Sequence, residues 1–133
     1  MVQEKINIEK TIEHWISRAG QDFETMLNLF HSKDFHWSLF LGHLVIERLL
    51  KALVVKVSKN HAPLTHDLRR LSKLANLDLS DEQKRMLDTI TTFNLNARYD
   101  DYKQDFYKKC TFEYAMLWIS NIKSLKKWIE TKL

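Results

Sequence analysis

Glycine and proline are nearly absent from this chain, which has two glycines and one proline among its 133 residues. An average protein draws about 12 % of its residues from these two types, because they form the turns of sandwiches, barrels and doubly wound sheets. A chain so poor in turn residues cannot make the many tight connections of a sheet protein. Its hydrophobic and charged fractions, 44 % and 29 %, are those of a globular protein. The sequence therefore predicts an ordered, all-α fold.

Helical periodicity predicts a five-helix up-and-down bundle, with four long helices and one short one, in a single domain over residues 1–133. A stretch from Arg98 to Cys110 loses the period and is assigned to no helix. At the start of helix 2, His36 and Trp37 lean toward solvent, and we expect them to be partly exposed. The predicted segments are helix 1 at about 8–30, helix 2 at about 34–59, a short helix 3 opening at Thr65, helix 4 after the capping box that begins at Ser80, and helix 5 after Thr111.

The pattern of cysteines, histidines and glutamates does not favour a disulfide or a metal site. Cys110 is the single cysteine, so an internal disulfide and a cysteine-built zinc site are excluded. None of the glutamates has a histidine three residues later, as the di-iron bundles require. His43 and Glu47 share one face of helix 2, but two ligands do not complete a site. We expect no metal and no cofactor.

No segment of the sequence is typical of a membrane anchor. The most apolar stretch, residues 37–57, is interrupted by Glu47, Arg48 and Lys51. The first fifteen residues mix acidic and basic side chains without the apolar run of a signal peptide. We therefore expect a cytoplasmic protein.

The positive charge is concentrated near the end of the chain. The formal net charge is +4, and from Lys103 onward seven lysines face three acidic residues, whereas the preceding residues balance. A basic end of this kind can attract phosphate groups. Lysines near helix C-termini, which interact favourably with the helix dipole, would give the same excess of positive charge. Because the surplus is only four and includes no arginine, we favour this structural interpretation over phosphate binding.

Two segments carry polar residues that the core pattern does not explain. Within the apolar helix 2, Glu47 and Lys51 are four residues apart, and buried charges of this kind need partners. We expect them to form a buried polar pair near His43. After helix 4, the run Asn96-Ala97-Arg98-Tyr99-Asp100-Asp101-Tyr102 gathers an arginine, two carboxylates and two tyrosines.

Together with Thr65-His66-Asp67-Leu68 and the early Trp15, Ala19 and Asp22, these segments resemble the HEPN domain (higher eukaryotes and prokaryotes nucleotide-binding). The resemblance runs in order from about Trp15 to helix 5. It implies a five-helix bundle that forms homodimers. Stand-alone prokaryotic members are often encoded beside a minimal nucleotidyltransferase, in a pair of the toxin–antitoxin type. Many HEPN proteins are metal-independent ribonucleases with an Arg-x(4–6)-His motif, in which histidine transfers protons and arginine binds phosphate.

The sequence departs from that ribonuclease motif. Positions 103 to 105, counted from Arg98, are Lys103, Gln104 and Asp105, and no histidine follows His66. We therefore predict a non-catalytic, dimeric protein that binds nucleotide or RNA phosphate as the partner of a nucleotidyltransferase. An atypical ribonuclease that uses His66, and a purely structural interaction module, remain as alternatives. The candidate phosphate-binding residues are Arg98, Tyr99, Asp101, Tyr102, Lys103 and His66.

Overall fold

The computed structural model describes residues 6–133, and this part of the chain is entirely helical apart from its connections. Three of the long helical segments begin at side-chain caps: Asn7 Oδ1 accepts from the Lys10 amide, Ser80 and Gln83 form a capping box, and Thr111 accepts from the Tyr114 amide. The helices are α1 (Ile8–His31), α2 (Phe35–Ser58), α3 (Leu68–Leu74), α4 (Asp81–Arg98), α5 (Asp100–Lys109) and α6 (Phe112–Glu130).

Helix α2 is the centre of the bundle. Fifteen of its 24 residues are buried, whereas α1, of equal length, buries only Ala19 and Met26 completely. The other five helices all pack against α2. At Gly42, α1 and α6 approach α2 so closely that an added Cβ would overlap Ile122 Cδ1 and come within 3.2 Å of Met26 Sδ. The polar groups of α2 are thus enclosed by neighbours on most sides.

The structure corrects the expected number of helices, because residues 6–133 contain six and not five. The additional helix is α5, which lies in the stretch 98–110 where the sequence pattern predicts no helix. Phe106 is its one buried residue, 5.5 Å from the Phe93 ring of α4. Such a short, polar helix lacks the apolar stripe from which periodicity is read.

Two local expectations are also wrong. The short helix α3 begins at Leu68 and not at Thr65, because Asp67 is the residue whose side chain accepts from the first free amides. His36 is buried, with 8 % of its surface exposed, because the ring of Tyr107 on α5 packs edge-on against it. The unexpected helix α5 therefore covers the start of α2.

Connections between the helices use left-handed backbone without glycine. Lys33, Lys59 and Asn76 have φ values of 66°, 58° and 56°, at the ends of α1, α2 and α3. Left-handed residues commonly end helices, although glycine is the usual choice. The rest of the described backbone turns without positive φ values.

Candidate functional site

A buried carboxylate, that of Glu47 on α2, is the centre of a polar cluster in the core. Glu47 is 1 % exposed, and its Oε2 accepts from Lys51 Nζ at 3.1 Å. Its Oε1 accepts from His66 Nδ1 at 2.6 Å. Because α2 is enclosed by other helices, these two partners replace water as the groups that satisfy the carboxylate.

His66 lies in the connection between α2 and α3, where the chain leaves the core. Its side chain is 57 % exposed, although its Nδ1 contacts the buried Glu47. Since a carboxylate only accepts hydrogen bonds, the proton on this side of the ring sits on Nδ1. The other nitrogen, Nε2, has no hydrogen bond among residues 6–133. His66 can therefore present Nε2 to a ligand as a proton acceptor or, when protonated, as a cationic donor.

A second histidine, His43, joins the backbone of His66 to α4. Its ring is fully buried, and its Nε2 lies 3.0 Å from the His66 carbonyl oxygen, to which it must donate. Burial lowers the pKa of His43 by more than the hydrogen bond to His66 and the nearby Glu47 carboxylate raise it, so its ring is neutral. Nδ1 is then an acceptor, and Asn94 Nδ2 lies 3.5 Å from it.

Arg98 closes the cluster at the last residue of α4. Its Nε donates to the Asn94 carbonyl oxygen at 3.1 Å, and its Nη2 donates to Asn94 Oδ1. The guanidinium also lies 5.5 Å from the centre of the Tyr99 ring. None of the ion pairs within residues 6–133 involves Arg98. The guanidinium is thus held by neutral oxygens of Asn94, and no carboxylate in this range neutralises its positive charge.

These contacts form one hydrogen-bonded path through the protein. Each member contacts the next through a hydrogen bond, and at His66 the path passes from the backbone carbonyl, which His43 contacts, to the ring, which contacts Glu47. The path reaches the surface at His66 and Arg98. Such a path fixes the relative positions of an imidazole and a guanidinium, which are the side chains that proteins use to bind phosphate and move its protons. Its members in order are Arg98, Asn94, His43, His66, Glu47 and Lys51.

The remaining candidate residues are distributed differently. Tyr99, Asp101 and Tyr102 are exposed at the start of α5, directly after Arg98 in the sequence. Lys103 points elsewhere, because its Nζ lies 5.1 Å from the centre of the Trp37 ring on α2. The structure therefore joins Arg98 to His66 and leaves Lys103 outside the hydrogen-bonded path.

Asn94 is the member of the path that sequence reasoning did not select. It occupies a position on the apolar stripe of α4, between Phe93 and Ala97, and is 5 % exposed. An asparagine at a core position must find hydrogen-bond partners there, and this was the available signal. The two ends of its amide group serve His43 and Arg98.

Other chemical sites are not supported by the described residues. Between Ile6 and Leu133, no group of three or more histidine, cysteine or acidic side chains is arranged to hold a metal ion. Burial raises the pKa of the Cys110 thiol to about 12, which makes it an unreactive core residue. No helix in this part of the chain is long and apolar enough to cross a bilayer.

Comparison with known proteins adds two findings. A family model described as "HEPN domain" matches residues 12–132. The crystal structure of TT1696 from Thermus thermophilus is similar with a TM-score of 0.76 and 18 % sequence identity, over 92 % of this chain and 98 % of that one. At this identity the likeness concerns the fold alone. Among curated proteins, none is significantly similar to the chain.

Proposed function

This chain belongs to the HEPN domain family, and on that premise we propose that it is a dimeric, non-catalytic protein that binds the phosphate of a nucleotide or an RNA. The observation that carries the proposal is the hydrogen-bonded path that joins His66 to Arg98. A second part of the proposal is that the protein acts beside a minimal nucleotidyltransferase in the cytoplasm, which rests on the family resemblance alone.

Arg98 is the residue we assign to the phosphate. Its Nε and Nη2 donate to the backbone and side-chain oxygens of Asn94, so the guanidinium is already ordered before a ligand binds. Ordering a flexible side chain in advance reduces the entropy lost on binding. Because no carboxylate within residues 6–133 pairs with Arg98, an anionic ligand does not have to displace one. A charge-assisted hydrogen bond to phosphate is about twice as strong as a neutral one.

The exposed tyrosines next to Arg98 extend the proposal to the rest of the ligand and to the dimer. Tyr99, Tyr102 and Tyr107 are 52 %, 49 % and 62 % exposed. Aromatic side chains in this state can stack on a base or cover a partner surface. We assign Tyr99 and Tyr102, with Asp101, to the nucleoside side of the site, and Tyr107 with the half-buried Trp37 to the contact between two copies.

Light scattering tests the dimer directly. At micromolar concentration we expect a mass of twice the 15.9 kDa chain. Substituting Tyr107 by serine weakens the dimer if this surface is the contact, because it removes a large exposed ring. A monomeric mass for the unsubstituted protein contradicts the proposal.

Calorimetry tests the phosphate site. ATP and a short RNA are titrated at low salt into the unsubstituted protein, into Arg98→Ala and into the control Arg85→Ala. Arg85 is an exposed arginine of the same helix, so both variants lose one positive charge on α4. We expect Arg98→Ala to bind about tenfold or more weakly, since a hydrogen bond to a charged group contributes about 1.5–3 kcal/mol. Equal binding by both variants excludes Arg98 from the site.

RNA cleavage is a second candidate function, and one observation favours it. The contact between Glu47 and His66 is the arrangement in which a carboxylate orients a catalytic imidazole, with Nε2 left free for the substrate. The two functions differ in their expected outcome. The non-catalytic protein leaves RNA intact, whereas a ribonuclease cleaves it and loses about 10²–10⁴-fold in rate in His66→Ala. His61→Ala, an exposed histidine of the same connection, is the matched control.

A further inference from the structure

A basic cleft lies between α3 and the start of α4, and its lining begins at Asp67, directly after His66 in the sequence. It encloses about 550 Å³, with Leu77 and Leu79 among its apolar walls. Arg70, Lys73 and Lys84 supply its positive charge. None of the ion pairs within the described part of the chain involves these three side chains. The cleft therefore has cationic groups that residues 6–133 do not neutralise.

Two other charged residues of the cleft, Asp67 and Arg69, already make hydrogen bonds. Asp67 accepts from the amides of Arg69 and Arg70 as the N-cap of α3, and Arg69 Nη1 donates to Asp88 Oδ2 at 3.0 Å. Among the described residues, Asp78 is the one further carboxylate that lines it. With Arg69 paired to Asp88, the three remaining cations face two carboxylates, Asp67 and Asp78, and this excess of one positive charge favours an anionic ligand.

Helix α4 links the cleft, which includes Lys84 near its start, to Arg98 at its end. The amide of Leu68 donates to Thr91 Oγ1 at 3.3 Å, so the start of α3 contacts the middle of α4. Lys84 and Arg98, on α4, are 14 residues apart, which corresponds to about 21 Å and nearly four helical turns. They therefore project from α4 within about 40° of each other, and the start of α3 contacts α4 at Thr91, midway between them.

We propose that this cleft is a second phosphate-binding position, so that the ligand is a single-stranded polynucleotide and not a mononucleotide. The proposal rests on the phosphate site proposed above and extends it. A length of about 21 Å accommodates about six stacked nucleotides at 3.4 Å each. A mononucleotide reaches only one end of such a surface, whereas a strand contacts both ends.

The test compares two ligands and two charge-matched variants. Fluorescence anisotropy measures binding of a labelled oligouridine of about 12 nucleotides between about 50 and 200 mM salt, and calorimetry measures binding of ATP. The cleft variant is Arg70→Gln/Lys73→Gln/Lys84→Gln. The control variant is Lys108→Gln/Lys123→Gln/Lys127→Gln, which removes the same charge from exposed positions of α5 and α6. Circular dichroism establishes that both variants fold.

For the cleft variant we expect the slope of log affinity against log salt to fall in magnitude by about 2, because each phosphate contact with a single strand contributes about 0.7. Oligouridine affinity at low salt falls by more than tenfold, and ATP affinity is unchanged. The control variant, which keeps the cleft, retains most of its oligouridine affinity.

Two results overturn this inference. One is that the cleft variant binds oligouridine as tightly as the unsubstituted protein. If Arg98→Ala still weakens ATP binding in that case, the phosphate site at Arg98 is supported and the cleft is not. The other is an equal loss in both triple variants, which means that net charge and not the cleft attracts the strand. Loss of oligouridine binding in the cleft variant alone, with ATP binding insensitive to Arg98→Ala, instead supports the cleft and contradicts the phosphate site.

Discussion

Removing the charge of Glu47 provides a severe test of the polar cluster, because it leaves a buried ammonium without its partner. In Glu47→Gln the side chain keeps its shape, but Lys51, 6 % exposed, loses the carboxylate that its Nζ contacts at 3.1 Å. Breaking a buried ion pair from one side costs about 3–5 kcal/mol, out of a total stability of about 5–15 kcal/mol.

A second variant removes both charges of the ion pair. In Glu47→Gln/Lys51→Met no ammonium remains to be buried, and methionine has a flexible chain that fills a similar volume. Replacing a buried ion pair by apolar residues is often neutral or stabilising. We therefore expect the double variant to recover most of the stability lost in Glu47→Gln. His66, which is half-exposed, can exchange its lost contact for water and adds little to the cost.

Urea unfolding followed by circular dichroism measures these values. With a slope of about 2 kcal/mol per molar urea, a loss of about 3–5 kcal/mol moves the midpoint by about 1.5–2.5 M. Exposed Glu24→Gln on α1 is a control that should leave the midpoint unchanged. If Glu47→Gln costs under about 1 kcal/mol, or if the double variant is no more stable than the single one, Glu47 and Lys51 do not depend on each other.

Three further predictions concern the helix interiors and the buried histidine. In α1, Gly20→Ala should raise stability by about 1 kcal/mol, because an added Cβ meets no atom within 4 Å and alanine favours the helix; an unchanged urea midpoint contradicts this. In α2, Gly42→Ala should not show this gain and should lower the midpoint, because overlap with Ile122 adds about 1–3 kcal/mol of strain against a helix gain of about 1 kcal/mol. The pKa of His43 is lower in the folded chain than its ordinary 6.5, so the unfolded chain binds more protons below that pH. Stability should therefore be complete above about pH 6.5 and decline as the pH falls toward the folded pKa, and His43→Gln should reduce this decline in pH-dependent melting.

The bundle could be predicted from the sequence where apolar residues repeat at helical spacing. The buried face of α2 and the caps at Asn7, Ser80 and Thr111 are local signals, and the structure has helices beginning after each cap. Helix α5 gives no such periodic signal, because Phe106 alone enters the core. Its paired acidic residues at the start and paired lysines at the end complement a helix dipole and were the remaining indication of a helix.

The site was only half accessible to sequence reasoning. Arg98 and His66 are 32 positions apart, and no spacing rule connects a residue in an inter-helix link to the end of another helix. Their connection depends on Asn94 and His43, which belong to apolar stripes and look like core residues. Tertiary packing, and not any local motif, brings a carboxylate from α2 to the inner side of the His66 ring.

The left-handed residues at the helix ends imply that this protein has not reached its attainable stability. Lys33 and Lys59 each adopt a backbone conformation that costs a residue with a Cβ about 1–2 kcal/mol. Natural selection retains such positions as long as the folded state exceeds the threshold needed for function. The near absence of glycine therefore lowers the stability of the folded protein at these helix ends. Glycine at Lys33 and Lys59 would recover this stability, which would then offset destabilising changes around His66 and Arg98 while new ligands are acquired.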